Sequence, residues 1–279
     1  MLRVLTVCTG NVCRSPLAAL LLAERLKGSP VIVESAGIRA LVDQPTTVET
    51  ERIAIEHGLT SEIVATHRAR LATEDVLGEA DLILAMAREH RHAIVDLVPR
   101  RLRSTFTLRE LARLGHEATD AELEEAAAGS ADPQERLRRV LAFVSSLRGT
   151  LDPPPAAADD DVVDPYRRSW DTYLLSASQL VPAIDDVVRV LRVAAGVGSG
   201  FDSASPHSAR FDSASPRSTT DGGGWASPRS TTDGGGWASP RSTTDGSDWA
   251  SPRSTTESGD GTSEPRMGIW APTERHSWN

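Results

Sequence analysis

The sequence predicts an α/β fold in which short buried parallel strands alternate with amphipathic helices. Two observations support this prediction. Apolar runs of strand length recur up to about residue 193, and segments whose apolar residues have helical spacing follow them. The first of these runs, residues 2–7, is almost wholly apolar, as is typical of a parallel strand covered on both faces. We therefore expect a folded domain over residues 1–195.

Each element is predicted from its own pattern. The first strand is assigned to residues 2–7 and the first helix to residues 16–27, because Ser15-Pro16 precedes an apolar periodic run and proline favours a helix start. The other elements follow the same alternation. Strands are predicted at 31–35, 81–85 and around 103–106, with helices near 47–58, 73–79, 88–97, 108–114, 134–147 and 170–194.

Residues 115–161 make an unusually long connection within this pattern. Residues 119–128 and 132–147 are predicted to be two surface helices, and a mobile segment rich in Pro, Ala and Asp follows them. We interpret the connection as an inserted surface segment. A lid or a docking element is the alternative.

The composition changes beyond residue 195. Residues 196–279 consist largely of Ser, Pro, Thr, Gly and Asp, and the motif Trp-Ala-Ser-Pro-Arg-Ser-Thr-Thr begins at Trp225, Trp237 and Trp249. A segment with so few aliphatic residues buries too little surface to offset its ordering entropy, so a disordered repeat tail is expected. The tail is interpreted as an expanded linker. A multivalent ligand with spaced Trp and Ser-Pro sites is the alternative, and its partner is unknown.

The segment from Cys8 to Pro16 carries the chemistry. It reads Cys-Thr-Gly-Asn-Val-Cys-Arg-Ser-Pro and lies between the first predicted strand and the first predicted helix. Backbone N–H groups of such a turn and the helix N-terminus bind anions and favour a thiolate at Cys8. Arg14 offers a planar fork for two phosphate oxygens, and Gly10 allows the backbone to approach the anion. This pattern predicts nucleophilic attack on a phosphate ester, whereas a buried structural thiol beside a surface arginine is the plainer alternative.

These residues resemble the phosphate-binding loop of the low molecular weight protein tyrosine phosphatases. The chain also has that family's Ser-Ala-Gly at residues 35–37, its His-x-Ala-Arg at residues 67–70, and its late Asp-Pro-Tyr at residues 164–166. The resemblance covers residues 1 to about 195. It implies a three-layer doubly wound fold with a short, mainly four-stranded parallel sheet, and hydrolysis through a phosphocysteine intermediate.

The resemblance also assigns roles. Asp164 matches the family's general acid and base, which protonates the leaving oxygen and later activates water. Its neighbours Asp152, Asp159, Asp160 and Asp161 are interpreted as a solvated acidic loop. The residues expected to bind substrate are Thr9, Gly10, Asn11, Val12, Cys13, Ser15 and Tyr166.

A supporting hydrogen-bond network is implied at Asn11, Ser15, Ser35 and His67. The residues alone leave other roles open: Ser15 is also a plausible helix N-cap, and Ser35 a strand end. Cys13 is either a partner that traps oxidised Cys8 in a disulfide or a small buried apolar residue.

Three features bear on the substrate. Arsenate reductases of this fold need further cysteines, and the chain has only two. Phosphoarginine specificity in the family is linked to a threonine at the position of Val12, so an aliphatic residue there favours phosphotyrosine, with Tyr166 as one wall for the phenyl ring. Arg167 and Arg168 favour acidic or multiply phosphorylated substrates, with two solvated surface cations as the alternative. Residues 38–45 lack an aromatic side chain, so aryl selectivity is expected to be modest.

The composition excludes other classes. A net charge of −9 argues against nonspecific nucleic-acid binding. No segment reaches the ~18 apolar residues that span a bilayer, and residues 1–7 are too short for a signal peptide. A cytoplasmic phosphatase without cofactor or metal is expected, acting on a phosphorylated protein or a small phosphomonoester. Phosphoarginine or metabolite hydrolysis, and a phosphate-binding scaffold acting through its tail, are the alternatives.

Overall fold

The computed structural model describes residues 1–197, which contain a four-stranded sheet between two layers of helices. All the strands are parallel and their order is β2-β1-β3-β4. Their bounds are Leu2–Cys8 for β1, Val31–Gly37 for β2, Leu82–Ala85 for β3 and Thr105–Thr107 for β4.

Nine α-helices lie within residues 1–197. They are α1 (Arg14–Arg25), α2 (Val48–Glu56), α3 (Ser61–Ala65), α4 (Glu74–Glu79), α5 (Arg88–Leu97), α6 (Leu108–Glu117), α7 (Asp120–Ala127), α8 (Pro133–Ser146) and α9 (Trp170–Ala195). Short 3₁₀ turns occupy Pro99–Ser104, Leu147–Gly149 and Ala157–Asp160.

The two central strands bury side chains on both faces. In β1, Leu2 and Val4 join the core shared with α1, α6, α8 and α9, whereas Leu5 and Val7 join a smaller core with α4 and α5. Strand β3 divides its side chains in the same way. Such alternation makes a three-layer α/β fold, which confirms the predicted doubly wound class.

The strand order places the ends of β1, β2 and β3 together. Val7 is paired with Ala36 on one side and with Ala85 on the other, so β1 is central. The chain leaves β1 for β2 on one side and later enters β3 on the other. In an open α/β sheet, ligands bind beside the carboxyl ends of the strands where the order reverses in this way. The segment after Cys8 therefore lies at the expected binding edge.

The sequence pattern predicts most elements to within a few residues, with three differences. Strand β4 begins at Thr105 because residues 99–104 form a 3₁₀ turn, and the short helix α3 was not predicted. Helix α6 continues to Glu117, past the end predicted at residue 114. Gly115 does not stop this helix; a Cβ there would lie 2.7 Å from Val190 Cγ2, so the glycine permits close packing on α9.

Helices α7 and α8 each contribute side chains to the core. Leu123 and Ala127 of α7 are fully buried. Helix α8 contributes Leu137, Val140 and Val144 to the same core, packed against α9. Both predicted surface helices therefore bury one apolar stripe and leave their other face exposed.

Among residues 1–197, no helix combines the length and the apolar character needed to cross a bilayer. No group of three or more His, Cys, Asp or Glu side chains in this range is arranged to hold a metal ion. The predicted repeat tail lies outside the described residues, except for its first two.

Candidate active site

The loop from Thr9 to Cys13 surrounds the sulfur of Cys8. Cys8 is 2% exposed and ends β1, while α1 begins at Arg14. The backbone N–H of Asn11 donates to Cys8 Sγ at 3.3 Å, and Ser15 Oγ lies 3.0 Å from the same sulfur. The loop thus places one backbone donor and one hydroxyl against the sulfur.

Asn11 fixes the shape of this loop. Its φ is 57°, in the left-handed region that asparagine tolerates better than most residues. Its side-chain nitrogen donates to Ser15 Oγ and Ser35 Oγ, both at 2.9 Å, and its Oδ1 accepts from the Arg70 N–H at 2.9 Å. His67 Nε2 donates to the Asn11 carbonyl at 2.8 Å, and burial lowers the pKa of His67. The loop conformation is therefore held by a fully paired buried amide.

Ser15 lies within helix α1 and is not its N-cap, because the helix begins at Arg14. The Ser15 hydroxyl is fully buried and lies 3.2 Å from the Ala36 carbonyl as well as near the sulfur. The hydroxyl therefore donates to a carbonyl of β2 while also contacting the sulfur. Ser35 is inside β2, not at a strand end.

Two glycines lie in or beside the loop, and only one of them is sterically required. Gly10 is not in the left-handed region, and a Cβ there would meet only ordinary contacts with Val12 and Leu41. The close approach occurs at Gly37, where a Cβ would lie 2.5 Å from the Thr9 carbonyl oxygen and 3.0 Å from the Asn11 nitrogen. Gly37, at the end of β2, is the glycine that the loop backbone requires.

Arg14 is buried at 4% exposure and held from several directions. Its Nη1 donates to the Val162 carbonyl at 3.1 Å. Its Nη2 lies 3.4 Å from Thr9 Oγ1 and 2.9 Å from Asp164 Oδ2. The Arg14 Nε is buried and has no hydrogen-bond partner among the described residues, so one donor of the fork remains for an anion.

Asp164 reaches the loop from the segment before α9. Its side chain is half exposed, and its Oδ1 accepts from the Tyr166 N–H at 3.2 Å while Oδ2 pairs with Arg14. Pro165, which follows it, is buried. An exposed carboxylate that touches the buried arginine lies where it can exchange protons with solvent and with a bound ester.

The acidic residues before Asp164 anchor this segment. Asp161 accepts from the Arg88 backbone N–H at 2.7 Å and forms a two-pronged ion pair with the Arg88 guanidinium. Asp160 pairs with Arg113 at 3.1 Å, and the Val162 N–H donates to the Met86 carbonyl at 2.8 Å. The expectation of a solvated acidic loop is wrong for Asp160 and Asp161, because helices α5 and α6 present arginines to them.

His90 was not predicted as a site residue. It lies on α5, is fully buried, and its Nε2 is 2.9 Å from Thr9 Oγ1. Burial and then the charge of Arg14 lower the His90 pKa to about 4, so the imidazole is neutral near pH 7. His90, Thr9, Arg14 and Asp164 thus form one chain of polar contacts.

Cys13 faces away from this chain of contacts. Its sulfur lies 3.6 Å from Tyr173 Oη and 3.7 Å from Thr47 Oγ1. Burial raises the pKa of Cys13, and burial also raises the pKa of Tyr173. Both cysteines are free thiols in this structure. A raised pKa makes Cys13 a poor competitor for the role of Cys8.

The rim of the loop is aliphatic on one side. Val12 is 4% exposed, and the Leu41 side chain borders Gly10. Leu41 and Val42 are themselves 39% and 54% exposed, so residues 38–45 offer apolar surface although they lack an aromatic ring. Tyr166 is half-buried beside Asp164, with the Arg167 guanidinium 5.2 Å from its ring centroid.

The structure brings Cys8, Arg14, Ser15 and Asn11 together with Ser35, His67 and Asp164 through the contacts above. The site residues absent from the prediction are His90, Gly37, Arg70 and Asp161. A different signal points to each of the first and last. His90 follows β3, whose carboxyl end adjoins that of β1. Asp161 lies shortly before the matched Asp-Pro-Tyr motif. Gly37 and Arg70 lie within matched motifs, but only the register shows what they touch.

Comparisons with known proteins give a consistent family. Residues 3–151 match the model for low molecular weight phosphotyrosine protein phosphatases. The chain is 41% identical over 96 residues to the low molecular weight protein-tyrosine-phosphatase Etp of Escherichia coli strain K12, covering 34% of this chain and 62% of that protein. It is 38% identical over 109 residues to the protein-arginine-phosphatase of Geobacillus stearothermophilus, covering 39% of this chain and 70% of that protein.

Solved structures match this chain as well. The YwlE arginine phosphatase from Geobacillus stearothermophilus has a TM-score of 0.45 and 25% sequence identity with this chain. That comparison covers 67% of this chain and 91% of the other.

Proposed function

The chain belongs to the low molecular weight phosphotyrosine protein phosphatase family, and we propose that it hydrolyses protein phosphotyrosine through a phosphocysteine intermediate. One observation carries the proposal. The buried Cys8 sulfur accepts from the Asn11 N–H at 3.3 Å, and six residues on along the same strand-turn-helix segment the buried Arg14 guanidinium pairs with the half-exposed Asp164 carboxylate at 2.9 Å. Nucleophile, anion clamp and proton donor are the groups that phosphoryl transfer to sulfur needs.

In the first step, the Cys8 thiolate attacks phosphorus and forms an S–P bond. The bond between phosphorus and the tyrosyl oxygen breaks, and its electron pair leaves with that oxygen, which takes a proton from Asp164. Arg14 and the N–H groups of residues 9–14 hold the equatorial oxygens as their charge changes. The Asn11 N–H and the Ser15 hydroxyl lie 3.3 and 3.0 Å from the sulfur, close enough to stabilise the attacking anion in this step.

In the second step, water attacks the phosphocysteine. Asp164, now a carboxylate, accepts a proton from the attacking water, and the S–P bond breaks with its electron pair returning to Cys8. Inorganic phosphate is released. Ser15 again stabilises the departing sulfur, so the same hydrogen bond assists both halves of the reaction.

The rim supports phosphotyrosine over phosphoarginine. Val12 offers no hydroxyl to a guanidinium, and Leu41 adds aliphatic surface next to the loop. An apolar rim favours a phenyl ring over a charged guanidino group. The similarity to a protein named as an arginine phosphatase keeps the second substrate as the alternative.

The first experiment tests catalysis. Wild-type protein, Cys8→Ser and Cys13→Ser are compared for release of p-nitrophenol from p-nitrophenyl phosphate. We expect loss of turnover in Cys8→Ser and retained turnover in Cys13→Ser, which removes an identical sulfur five residues away. Equal hydrolysis by wild type and Cys8→Ser would contradict the proposal.

A second experiment tests the role of Asp164. In the Asp164→Asn variant, hydrolysis of phenyl phosphate is expected to fall much further than hydrolysis of p-nitrophenyl phosphate, since only the poorer leaving group needs a proton. Equal losses on the two esters would assign the proton to another group.

The substrate class is tested with matched peptides. One peptide sequence is prepared with phosphotyrosine or phosphoarginine at the same position, and kcat/KM is measured for each. We expect the phosphotyrosine peptide to be hydrolysed faster. The reverse order would establish the alternative substrate while leaving the thiol mechanism in place.

We further propose that residues 1–195 form the phosphatase domain and that it acts in the cytoplasm. Both cysteines are free thiols, and a reactive thiolate persists best in a reducing compartment. Fractionation of cells that express the full chain, followed by activity measurement, tests the location.

A further inference from the structure

A second concave site lies between the 3₁₀ turn Pro99–Ser104, helix α5 and helix α8. The cavity has a volume of about 810 Å³, within the range of small-molecule sites. It adjoins Asp81, directly before β3, and Ser104, directly before β4. These are the amino ends of the strands, whereas the Cys8 loop lies at their carboxyl ends. The cavity and the Cys8 loop therefore lie at opposite ends of the strands.

Six arginines line this cavity: Arg91, Arg100, Arg101, Arg103, Arg138 and Arg148. Two of them are neutralised, because Arg138 pairs with Glu135 at 2.5 Å and Arg148 with Glu110 at 2.8 Å. The other four have no carboxylate partner among the described residues.

The three acidic residues of the lining already accept hydrogen bonds or form an ion pair. Asp132 caps helix α8 by accepting from the Gln134 and Glu135 N–H groups at 3.3 Å. Asp81 accepts from the Arg3 N–H at 2.8 Å and from the Gln134 side chain at 3.0 Å. Glu135 is bound to Arg138. The cavity thus has an excess of positive charge in a protein whose net charge is −9.

Several guanidinium donors remain available. Arg91 donates to the Thr105 carbonyl and Arg101 to the Gly78 carbonyl, which fixes both side chains without an ion pair. The Arg101 Nε is buried and has no hydrogen-bond partner within residues 1–197. Burial lowers the pKa of Arg101, and the charge of Arg100 acts in the same direction. Arg100 and Arg103 are exposed and form no hydrogen bond or ion pair with other described residues.

Apolar side chains form part of the same lining. Leu137 and Leu141 of α8 are almost fully buried, and Leu102 is 49% exposed. An inorganic ion would use only the guanidinium groups. A ligand that bears both an apolar part and anionic groups would use the whole site.

We propose that this cavity binds a small organic polyanion, carrying phosphate or carboxylate groups on an apolar frame, at a site separate from the Cys8 loop. The guanidinium forks of Arg100 and Arg103 bind its anionic oxygens, and the leucines contact its frame. A guanidinium group can bind either a phosphate or a carboxylate through two parallel hydrogen bonds. The test therefore includes one probe of each kind.

The test is calorimetric titration of the full chain with ATP, as the organic phosphate, and separately with citrate, as the carboxylate. The variant Arg100→Ala/Arg103→Ala removes two exposed side chains without partners, so its thermal midpoint should match that of the wild type. The matched control Lys27→Ala/Arg139→Ala removes two exposed cations that do not line the cavity.

We expect at least one probe to bind the wild type, with affinity about tenfold weaker in Arg100→Ala/Arg103→Ala and unchanged in the control. Binding should weaken as salt is raised. Hydrolysis of p-nitrophenyl phosphate in the absence of the probes should be equal in all three proteins. Binding that survives the Arg100→Ala/Arg103→Ala change would place the probe elsewhere, including the Cys8 loop, and overturn the proposal. Equal weakening in both variants, or no binding of either probe, would also overturn it.

Discussion

His90 is a single buried side chain whose protonation makes the stability of the protein depend on pH. Its imidazole is fully buried beside Thr9, with Glu89 Oε1 3.5 Å from Nε2. Burial lowers its pKa most, followed by the charge of Arg14; Asp161 raises it and Arg39 lowers it further. Protonation would add a second buried cation next to Arg14. The folded protein therefore resists a charge that the unfolded chain accepts readily.

This difference predicts a pH dependence of stability. The His90 pKa is about 4 in the folded protein and about 6.5 in a free chain, so between these values the unfolded state binds more protons. The contribution of His90 to the free energy of unfolding is thus complete above pH 6.5 and is lost as pH falls towards 4. Urea unfolding at several pH values should show a shallower slope over this window in His90→Asn than in the wild type.

His92 supplies the matched control for this prediction. It lies two residues away on α5 with its side chain 81% exposed and 3.3 Å from Asp96, so His92→Asn removes an imidazole from the same helix without disturbing the buried site. If His90→Asn keeps the full wild-type slope, the buried imidazole is not the group that titrates.

The residues that sequence alone predicts are those whose chemistry is local. Cys8 and Arg14 sit six positions apart on one strand-turn-helix segment, so their meeting depends on that turn alone. His90 comes from a segment about eighty residues away, and its place beside Thr9 follows only from the pairing of β3 with β1. The left-handed backbone of the loop falls at Asn11 and not at Gly10, which residue type alone does not reveal.

At the scale of elements, the end of β2 is packed against the loop so closely that only glycine fits. In Gly37→Ala, the new Cβ would meet the backbone of Thr9 and Asn11, which cannot rotate away as a flexible side chain does. We expect the free energy of unfolding to fall by roughly 1–3 kcal/mol. We also expect kcat/KM for p-nitrophenyl phosphate to fall by about tenfold or more, because the loop must shift.

Gly149→Ala is the control for this change. It adds the same methyl group where nothing lies within 4 Å, so stability and turnover should stay near those of the wild type. Wild-type kinetics in Gly37→Ala would show that the loop tolerates the displacement and that its backbone is not finely positioned.

Helix α5 begins without a cap of its own. Ala87 occupies the N-cap and has no side-chain acceptor, and Asp161 supplies one from the segment that carries Asp164. Asp161→Ala should therefore lower the free energy of unfolding by about 1–2 kcal/mol, since a capping bond and an ion pair are lost together. Turnover should fall too, because Asp164 lies three residues from the lost anchor.

Asp152→Ala removes a carboxylate from the same stretch, where that residue is exposed, and serves as the control. Urea unfolding and initial rates of both variants provide the measurement. Equal stability of the two variants would mean that the segment is held without Asp161.

Element boundaries were predictable where a residue pattern sets them and not where packing does. Thr47 and Thr107 cap α2 and α6, and both helices start within one residue of the predicted position. The end of α6 depends on contact with α9, which a local pattern cannot reveal. The buried stripes of α7 and α8 were missed for the same reason, since their partner helix lies about fifty residues further along the chain.

At the scale of the whole molecule, the Cys8 loop is assembled from nearly the full length of residues 1–197. Strand β1 and helix α1 supply Cys8 and Arg14, helix α5 supplies His90, and the segment before α9 supplies Asp164. Because these residues are so far apart in the sequence, the site forms only when the whole domain is folded. A truncated chain that is meant to be active must therefore keep α9 intact.

Helix α9 itself marks where that unit ends. Gly196 has φ 73° and donates to Val193, while the Val197 N–H donates to the Arg192 carbonyl at 3.0 Å, so a left-handed cap closes the helix. A chain ending at Val197 keeps every contact described for the Cys8 loop. We expect its thermal midpoint and its kcat/KM for p-nitrophenyl phosphate to equal those of the full chain.

A chain ending at Leu180 provides the contrast. It lacks Ile184, Val187, Val190 and Leu191, which are completely buried, and each such side chain contributes roughly 1.5–3 kcal/mol of burial. Their combined loss is about as large as the whole stability of a typical domain, roughly 5–15 kcal/mol, so this shorter chain should not fold stably. Reduced turnover in the chain ending at Val197 would instead assign residues 198–279 a part in folding or in catalysis.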